Sequence, residues 1–304
     1  MTDQVDAALS LWGLAGAKAT FITGRENRVY RVQTRENTYA LRFKRPGYRS
    51  DAELRSELQW MAAMDAAGLN VPKPIPSRKG ALLERIEDHR VDMLGWCAGT
   101  PIAPSPKTFH RLGTDIARLH DACDAWRPPT DFTRHSWNAD GLLGEAPVWG
   151  RFWENPALDP DTRALLIEFR EVAAKELAAL GPSLDTGLIH ADLVADNVLT
   201  TGDAITFIDF DDGGYGYRLF ELATVLMKHH AAPDFQALTE ALVAGYTRQR
   251  SLDTGPLDLF LALRAVTYVG WIMPRRAEPG AAAREARFVQ TARILCQRAL
   301  KKAG

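Results

Sequence analysis

The first ninety or so residues read as strands of alternating apolar and polar positions plus one helix, and the remainder repeats mostly with the period of a helix. In TYALRFK, Tyr39, Leu41 and Phe43 fall on one face and Ala40, Arg42 and Lys44 on the other. TFITGRENRVYRVQT reads as two strands joined by a turn around Gly24–Asn27, and ALLERI and HRVDMLGW as two more. Between them, SDAELRSELQWMAAMDAAG repeats Leu54, Leu58 and Met61 at helical spacing, opens on a capping box of Ser50 and Glu53, and stops at Gly68. The pattern predicts a small antiparallel sheet with one helix.

After Gly95 helices take over. Ser105–Pro106 opens one that carries Phe109, Leu112, Ile116 and Leu119. Asp159–Pro160 opens another, with Leu165, Phe169, Val172 and Leu180, ended by Gly181–Pro182. Helical patterns also cover 217–230, 235–250, 256–273 and 281–301, interrupted by a single strand pair. Residues 127–158 are rich in Pro, Gly and Trp and follow no period. The fold class expected is α+β, divided into residues 1–94 and 95–304.

Composition narrows the function by exclusion. The 37 Lys plus Arg nearly balance the 38 Asp plus Glu, so no overall field selects nucleic acid or an anionic membrane. Cys97, Cys123 and Cys296 show no metal-ligand or disulfide spacing. The start, MTDQVDAALS, lacks the basic end of a signal peptide, and the longest apolar stretch, Phe260–Met273, contains Arg264. A cytoplasmic protein is expected.

The chemistry concentrates in LIHADLVADNVL, residues 188–199. Thr201–Gly202–Asp203 marks a turn between Val198–Thr200 and Ala204–Ile208, and counting out from it sets Asn197 opposite Ile208, beside Asp209. An amide oxygen and a carboxylate so placed suit Mg²⁺. Asp192, in the preceding loop, can serve as a base, and His190 can orient the loop. Asx turns alone would explain an isolated His-x-Asp-x4-Asn, but H-x-D-L-x-x-x-N followed by an apolar residue and Asp is the grammar of phosphoryl transfer. That grammar predicts a cation on the third strand and an acid on the next helix, which Arg42 and Glu57 supply. The glycine-rich loop is reduced to Gly24, with the backbone up to Asn27 left to cover phosphates. A phosphoesterase using His190, Asp192 and Asp209 would leave Asn197, Arg42 and Glu57 without a reason.

On ENRVYRV, LRFKRPGYRSDAEL and IHADLVADNVL, within about residues 20–275, the chain resembles the aminoglycoside phosphotransferase and choline kinase superfamily. Within it, these motifs look most like the homoserine kinase type II and stress response kinase A branches. The resemblance implies a two-lobed protein-kinase-like fold, with a small antiparallel-sheet lobe carrying one helix and a larger helical lobe. It implies ATP and Mg²⁺ as cofactors, with Met93, Gly95 and Cys97 near adenine, Arg42 on the phosphates and paired with Glu57, Asn197 and Asp209 on the metal, and Asp192 as base. Relatives carry Asp-Leu-Ala after the metal loop, where this chain has Glu221-Leu222-Ala223.

Substrate is expected on the helical part, near Asp211, Asp212, Tyr268 and Trp271. Trp126, Trp137, Trp149 and Trp153 could box an ammonium group, although packing is the favoured reading. Arg264, Arg275 and Arg276 could grip a carboxylate, although a surface position is the favoured reading, and His229–His230 are expected as ordinary helix residues. The acceptor would be a hydroxyl of a small metabolite: an amino alcohol, homoserine, choline or an aminoglycoside. A Ser/Thr protein kinase, which lacks its usual A-P-E signature here, and a non-catalytic nucleotide-binding module remain as alternatives.

Overall fold

The computed structural model describes residues 2–24 and 27–303. Its elements run α1 (Thr2–Leu11), β1 (Lys18–Thr23), β2 (Arg28–Gln33), β3 (Thr38–Phe43), α2 (Asp51–Ala66), β4 (Glu84–Ile86), β5 (His89–Gly95) and β6 (Thr100–Pro101). They continue with α3 (Pro106–Ala125), β7 (Ser136–Trp137), α4 (Ala139–Leu143), α5 (Pro160–Leu180), β8 (Thr186–Ile189), β9 (Val198–Thr201), β10 (Ala204–Phe207) and β11 (Gly214–Tyr217). Four helices close the chain: α6 (Arg218–Met227), α7 (Phe235–Thr247), α8 (Leu257–Trp271) and α9 (Ala281–Ala303).

The chain packs as two compact units. The first comprises residues 1–102, 125–134 and 196–211, and the second 103–124, 135–195 and 212–304. The β9–β10 hairpin thus belongs to the first unit, an exchange that a linear division at residue 94 does not express.

In the first unit an antiparallel sheet is ordered β1-β2-β3-β5-β4. Alternation along β3 sends Leu41 and Phe43 to one face, where Val32, Val91 and Met93 join them. That face is covered by α1, whose Val5, Ala8 and Leu9 recur at helical spacing, and by Trp12 just after it; the periodicity reading had no element there. The opposite face carries Arg42, Lys44 and Asp92. As expected, α2 opens on the capping box of Ser50 and Glu53. Asn70 fastens the hairpin, accepting from the Phe207 N–H and donating to the Ile205 carbonyl, both at 3.1 Å.

In the second unit α8 is buried over Asp258–Gly270. The stretch Leu257–Arg275 is long and apolar enough to cross a membrane, but 78% of it is buried inside the fold, as for the core helix of a globular unit. Beside the helices lies a small sheet ordered β7-β11-β8. The apolar run before His190 suggested β8, whereas β7 and β11 escaped the sequence reading because they are two and four residues long and β11 reads GYGY. A Cβ on Gly216 would fall 2.6 Å from Ile189 and 2.8 Å from Trp137, so a glycine-poor strand would not fit.

Helices α3 and α7 cross at a pair of glycines. A Cβ on Gly113 would lie 2.0 Å from the Leu242 carbonyl oxygen, and one on Gly245 would lie 1.8 Å from that of His110. Helix propensity alone would make Gly113→Ala stabilising by roughly 1 kcal/mol. The backbone clash wins, because overpacking costs about 1–3 kcal/mol and here no side chain can rotate away. Gly113→Ala should therefore lower the thermal unfolding midpoint by several degrees; an unchanged or raised midpoint would mean that the helices do not meet at this residue.

Candidate active site

In the first unit the site grows from β3. Antiparallel register sets Arg42 beside Asp92 of β5, and the two form a two-pronged pair, Nε to Oδ1 at 2.7 Å and Nη2 to Oδ2 at 3.0 Å. Arg42 Nη1 reaches Glu57 of α2 at 3.0 Å, the pairing expected from sequence. Two residues on, and so on the same face, Lys44 Nζ donates to Glu57 Oε2 at 2.9 Å and to Asp211 Oδ1 at 2.7 Å. Asp211 also accepts from the Asn27 amide.

Each charge is held by its neighbours. Burial lowers the pKa of Arg42, but Asp92, Glu57 and Asp211 raise it well above its ordinary value. Burial and Arg42 likewise lower that of Lys44, and its carboxylates more than offset them. Asp211 is pushed up by burial yet ends far below the carboxylate range because Lys44 and Arg42 face it. Burial, with Asp211 adding, raises Glu57. Asp211 is therefore no substrate-facing acid, as the sequence reading had it, but part of this cluster. Lys44 and Asp92 were missed as partners. Alternation had put Lys44 on the face of Arg42, whereas only strand register could have revealed Asp92.

The hairpin brings Asn197 and Asp209 together as counted: the Ile208 N–H donates to the Asn197 carbonyl at 3.0 Å. Asp209 sits at φ +66°, a strained value that directs its side chain. No group of three or more His, Cys, Asp or Glu able to hold a metal occurs among the described residues. One amide oxygen and one carboxylate still fit Mg²⁺, which keeps water and phosphate as its other ligands. Of the turn at 24–27, Arg25 and Glu26 lie outside the described residues. A Cβ on Gly24 would come 3.1 Å from the Phe21 ring. Met93 was expected near adenine. Its side chain belongs to the core face away from Arg42, and its carbonyl accepts from Ile75 at 2.8 Å. The Gly95 N–H is taken by the Lys73 carbonyl at 2.8 Å, and Cys97, half-buried, has its thiol pushed up to about 11 by burial.

In the second unit the loop after β8 is clamped by Glu221 of α6. Its Oε1 accepts the His190 N–H at 2.6 Å and its Oε2 the Ala191 N–H at 2.7 Å. Ala191, at φ +61°, is thereby held left-handed. The longer acid thus supports the loop, as the shorter one is expected to in relatives. Burial raises Glu221 to about 7 against those two N–H groups. His190 is fully buried and its Nδ1 faces the Asp192 N–H at 3.4 Å, which suits an orienting role.

Asp192 accepts from Arg264 Nη2 at 2.7 Å. Burial pushes its carboxyl up to about 6; Arg264 pulls the other way, and Asp212 adds to the rise. Arg264, expected at the surface, is completely buried, and Arg275 nearly so. Tyr268 hydrogen-bonds Arg264 at 2.9 Å, while Trp271 packs against Tyr268 and Trp149. Asp212 Oδ1 accepts from Trp149 Nε1 at 3.3 Å. The tryptophans mostly pack: Trp126 against Phe132 in the first unit, Trp137 on Phe220, and Trp153 under Arg170.

Residues 18–260 match the model of the phosphotransferase enzyme family known as APH. The chain is 28% identical over 256 residues to the homoserine kinase of Hyphomonas neptunium, covering 79% of this chain and 75% of that one. A microcompartment-associated aminopropanol kinase superposes with a TM-score of 0.89 at 27% identity, over 100% of this chain and 99% of the other. An amicoumacin kinase in complex with AMP-PNP, Ca²⁺ and Ami shares the fold, with a TM-score of 0.79 at 20% identity over 96% and 93% of the two chains.

The clamp on the loop generates a test. Glu221→Gln keeps the shape but turns one acceptor into a donor facing an N–H. The variant should lose about 1–3 kcal/mol of stability, the cost of leaving a buried donor unpaired. Amide exchange at His190 and Ala191 should quicken by more than at β9; unchanged exchange there would show that the clamp does not hold the loop.

Proposed function

Because the chain belongs to the APH family of phosphotransferase enzymes, we propose that it transfers the γ-phosphate of ATP, with Mg²⁺, to a hydroxyl of a small amino alcohol. Asp192 carries this reading. It is a half-buried carboxylate on a clamped loop, with its pKa raised into the range where a base both ionises near neutrality and takes a proton readily. The likeness to an aminopropanol kinase along the whole chain, and to a homoserine kinase, supports an acceptor that pairs a hydroxyl with an amine.

In this reading Asp192 orients the acceptor hydroxyl and receives its proton as the oxygen attacks phosphorus. Arg42 and Lys44, held by Glu57, Asp92 and Asp211, bind phosphate oxygens, and the backbone around Gly24 and Asn27 covers them. Gly95 and Cys97 border adenine. Asn197 and Asp209 would hold Mg²⁺, which supplies charge neutralisation on the phosphates. Transfer through a loose transition state asks for position and neutralised charge, so no phosphorylated enzyme forms.

ADP release from MgATP, measured against pools of amino alcohols, choline, aminoglycosides and sugars, tests the proposal. An amino alcohol pool should stimulate it. Asp192→Asn should lower kcat by about 10²–10⁴-fold, the usual worth of a general base, with ATP affinity nearly intact. Full activity in that variant would remove Asp192 from its role. The wild-type rate should also fall as pH drops through about 6, since protonated Asp192 cannot accept the proton.

A further inference from the structure

Arg264 is a buried cation held largely among aromatic rings. Its guanidinium carbon lies 4.6 Å from the centre of the Trp149 ring, 4.5 Å from Tyr268 and 5.7 Å from Phe220. One nitrogen, Nη2, bonds both Asp192 and the Tyr268 hydroxyl. Among the described residues Nε and Nη1 have no hydrogen-bond partner. Ring faces, rather than acceptors, therefore enclose most of this guanidinium. The enclosure is itself fixed, because Trp149 is tied to Asp212 through its indole N–H and packs 5.2 Å from Trp137.

A hollow lined by ring faces and short of acceptors suits a cation that needs none. A quaternary ammonium group is of that kind, whereas a primary ammonium requires three acceptors. The hollow adjoins the carboxylate to which the proposed function assigns the acceptor hydroxyl, and the chain fills it with a cation of its own. We propose that Arg264 determines specificity by occupying this hollow beside Asp192, excluding alcohols that carry a quaternary ammonium group. The same residue, fixing one oxygen of Asp192, acts as a positioning residue for the base. The inference rests on the reading of Asp192 as the base.

Tetramethylammonium is the probe, read by tryptophan fluorescence, with choline in the ADP-release assay. Wild-type protein should show no saturable quenching and no choline-stimulated release. Arg264→Met, once cooperative thermal unfolding shows that it folds, should be quenched saturably, a signal lost in Arg264→Met/Trp149→Phe. Its kcat should fall about a hundredfold, the scale of a misplaced reacting group, with KM for ATP unchanged. Arg264→Lys keeps a cation in the hollow, and should recover part of kcat and resist quenching. Saturable quenching of wild type, or none in folded Arg264→Met, overturns the proposal. Should Arg264→Met not fold, quenching of wild type or of Arg264→Lys overturns it by itself. If no alcohol stimulates ADP release in wild type, the proposed function falls instead, and the titration still reports on the hollow.

Discussion

Burial of Glu57 is the constraint around which the first unit is organised. A carboxylate with no solvent exposure costs several kcal/mol unless its charge is met, and here Arg42 and Lys44 both meet it. Two cations on one strand face then need more acid than one helix supplies. Asp92 comes from the neighbouring strand and Asp211 from the segment after the hairpin. Strand register, the seat of α2 and the path of residues 208–211 are thus fixed by one requirement, that no buried charge stands alone. Removing any one member leaves an uncompensated charge, so the cluster specifies geometry more surely than it adds stability.

Two loops carry the polar residues at either end of 190–209, and each holds a non-glycine residue in left-handed backbone: Ala191 at φ +61° and Asp209 at φ +66°. Such positions cost of order 1–3 kcal/mol and persist only where their surroundings dictate them. For Ala191 the cause is plain, since both oxygens of Glu221 are spent on consecutive N–H groups. In return Asp192 leaves the loop at a fixed angle. A flexible loop would have to be ordered anew at each encounter with substrate, and strain stored in the fold avoids that entropy.

Much of this was legible in the chain. Alternation gave β3 its two faces, and turn chemistry at Thr201–Gly202–Asp203 set Asn197 next to Asp209, because both depend on residues close in sequence. The Arg42–Glu57 pair followed from motif spacing. Asp92 was not legible, since its partner is fixed by pairing between strands 50 residues apart. Nor was the burial of Arg264, which looked like a charge on an ordinary helix; a helix apolar on nearly every side was the available sign that α8 is buried from Asp258 to Gly270. The core side of Met93, by contrast, follows from simple alternation with Asp92.

The charge balance of the cluster bears on catalysis as well as on folding. Three carboxylates against two cations leave it one negative charge in excess, and the pKa of Glu57 is raised by its burial first and by Asp211 second. Phosphate oxygens reaching Arg42 and Lys44 would add more negative charge, and could only do so by drawing these cations partly away from Glu57, Asp92 and Asp211. The proposed metal at Asn197 and Asp209 answers that demand, because those two ligands together bring a single negative charge and leave the ion a surplus for phosphate. In that reading an amide at position 197 would be favoured over a second carboxylate by electrostatics, since a further acid would cancel the charge the phosphates need.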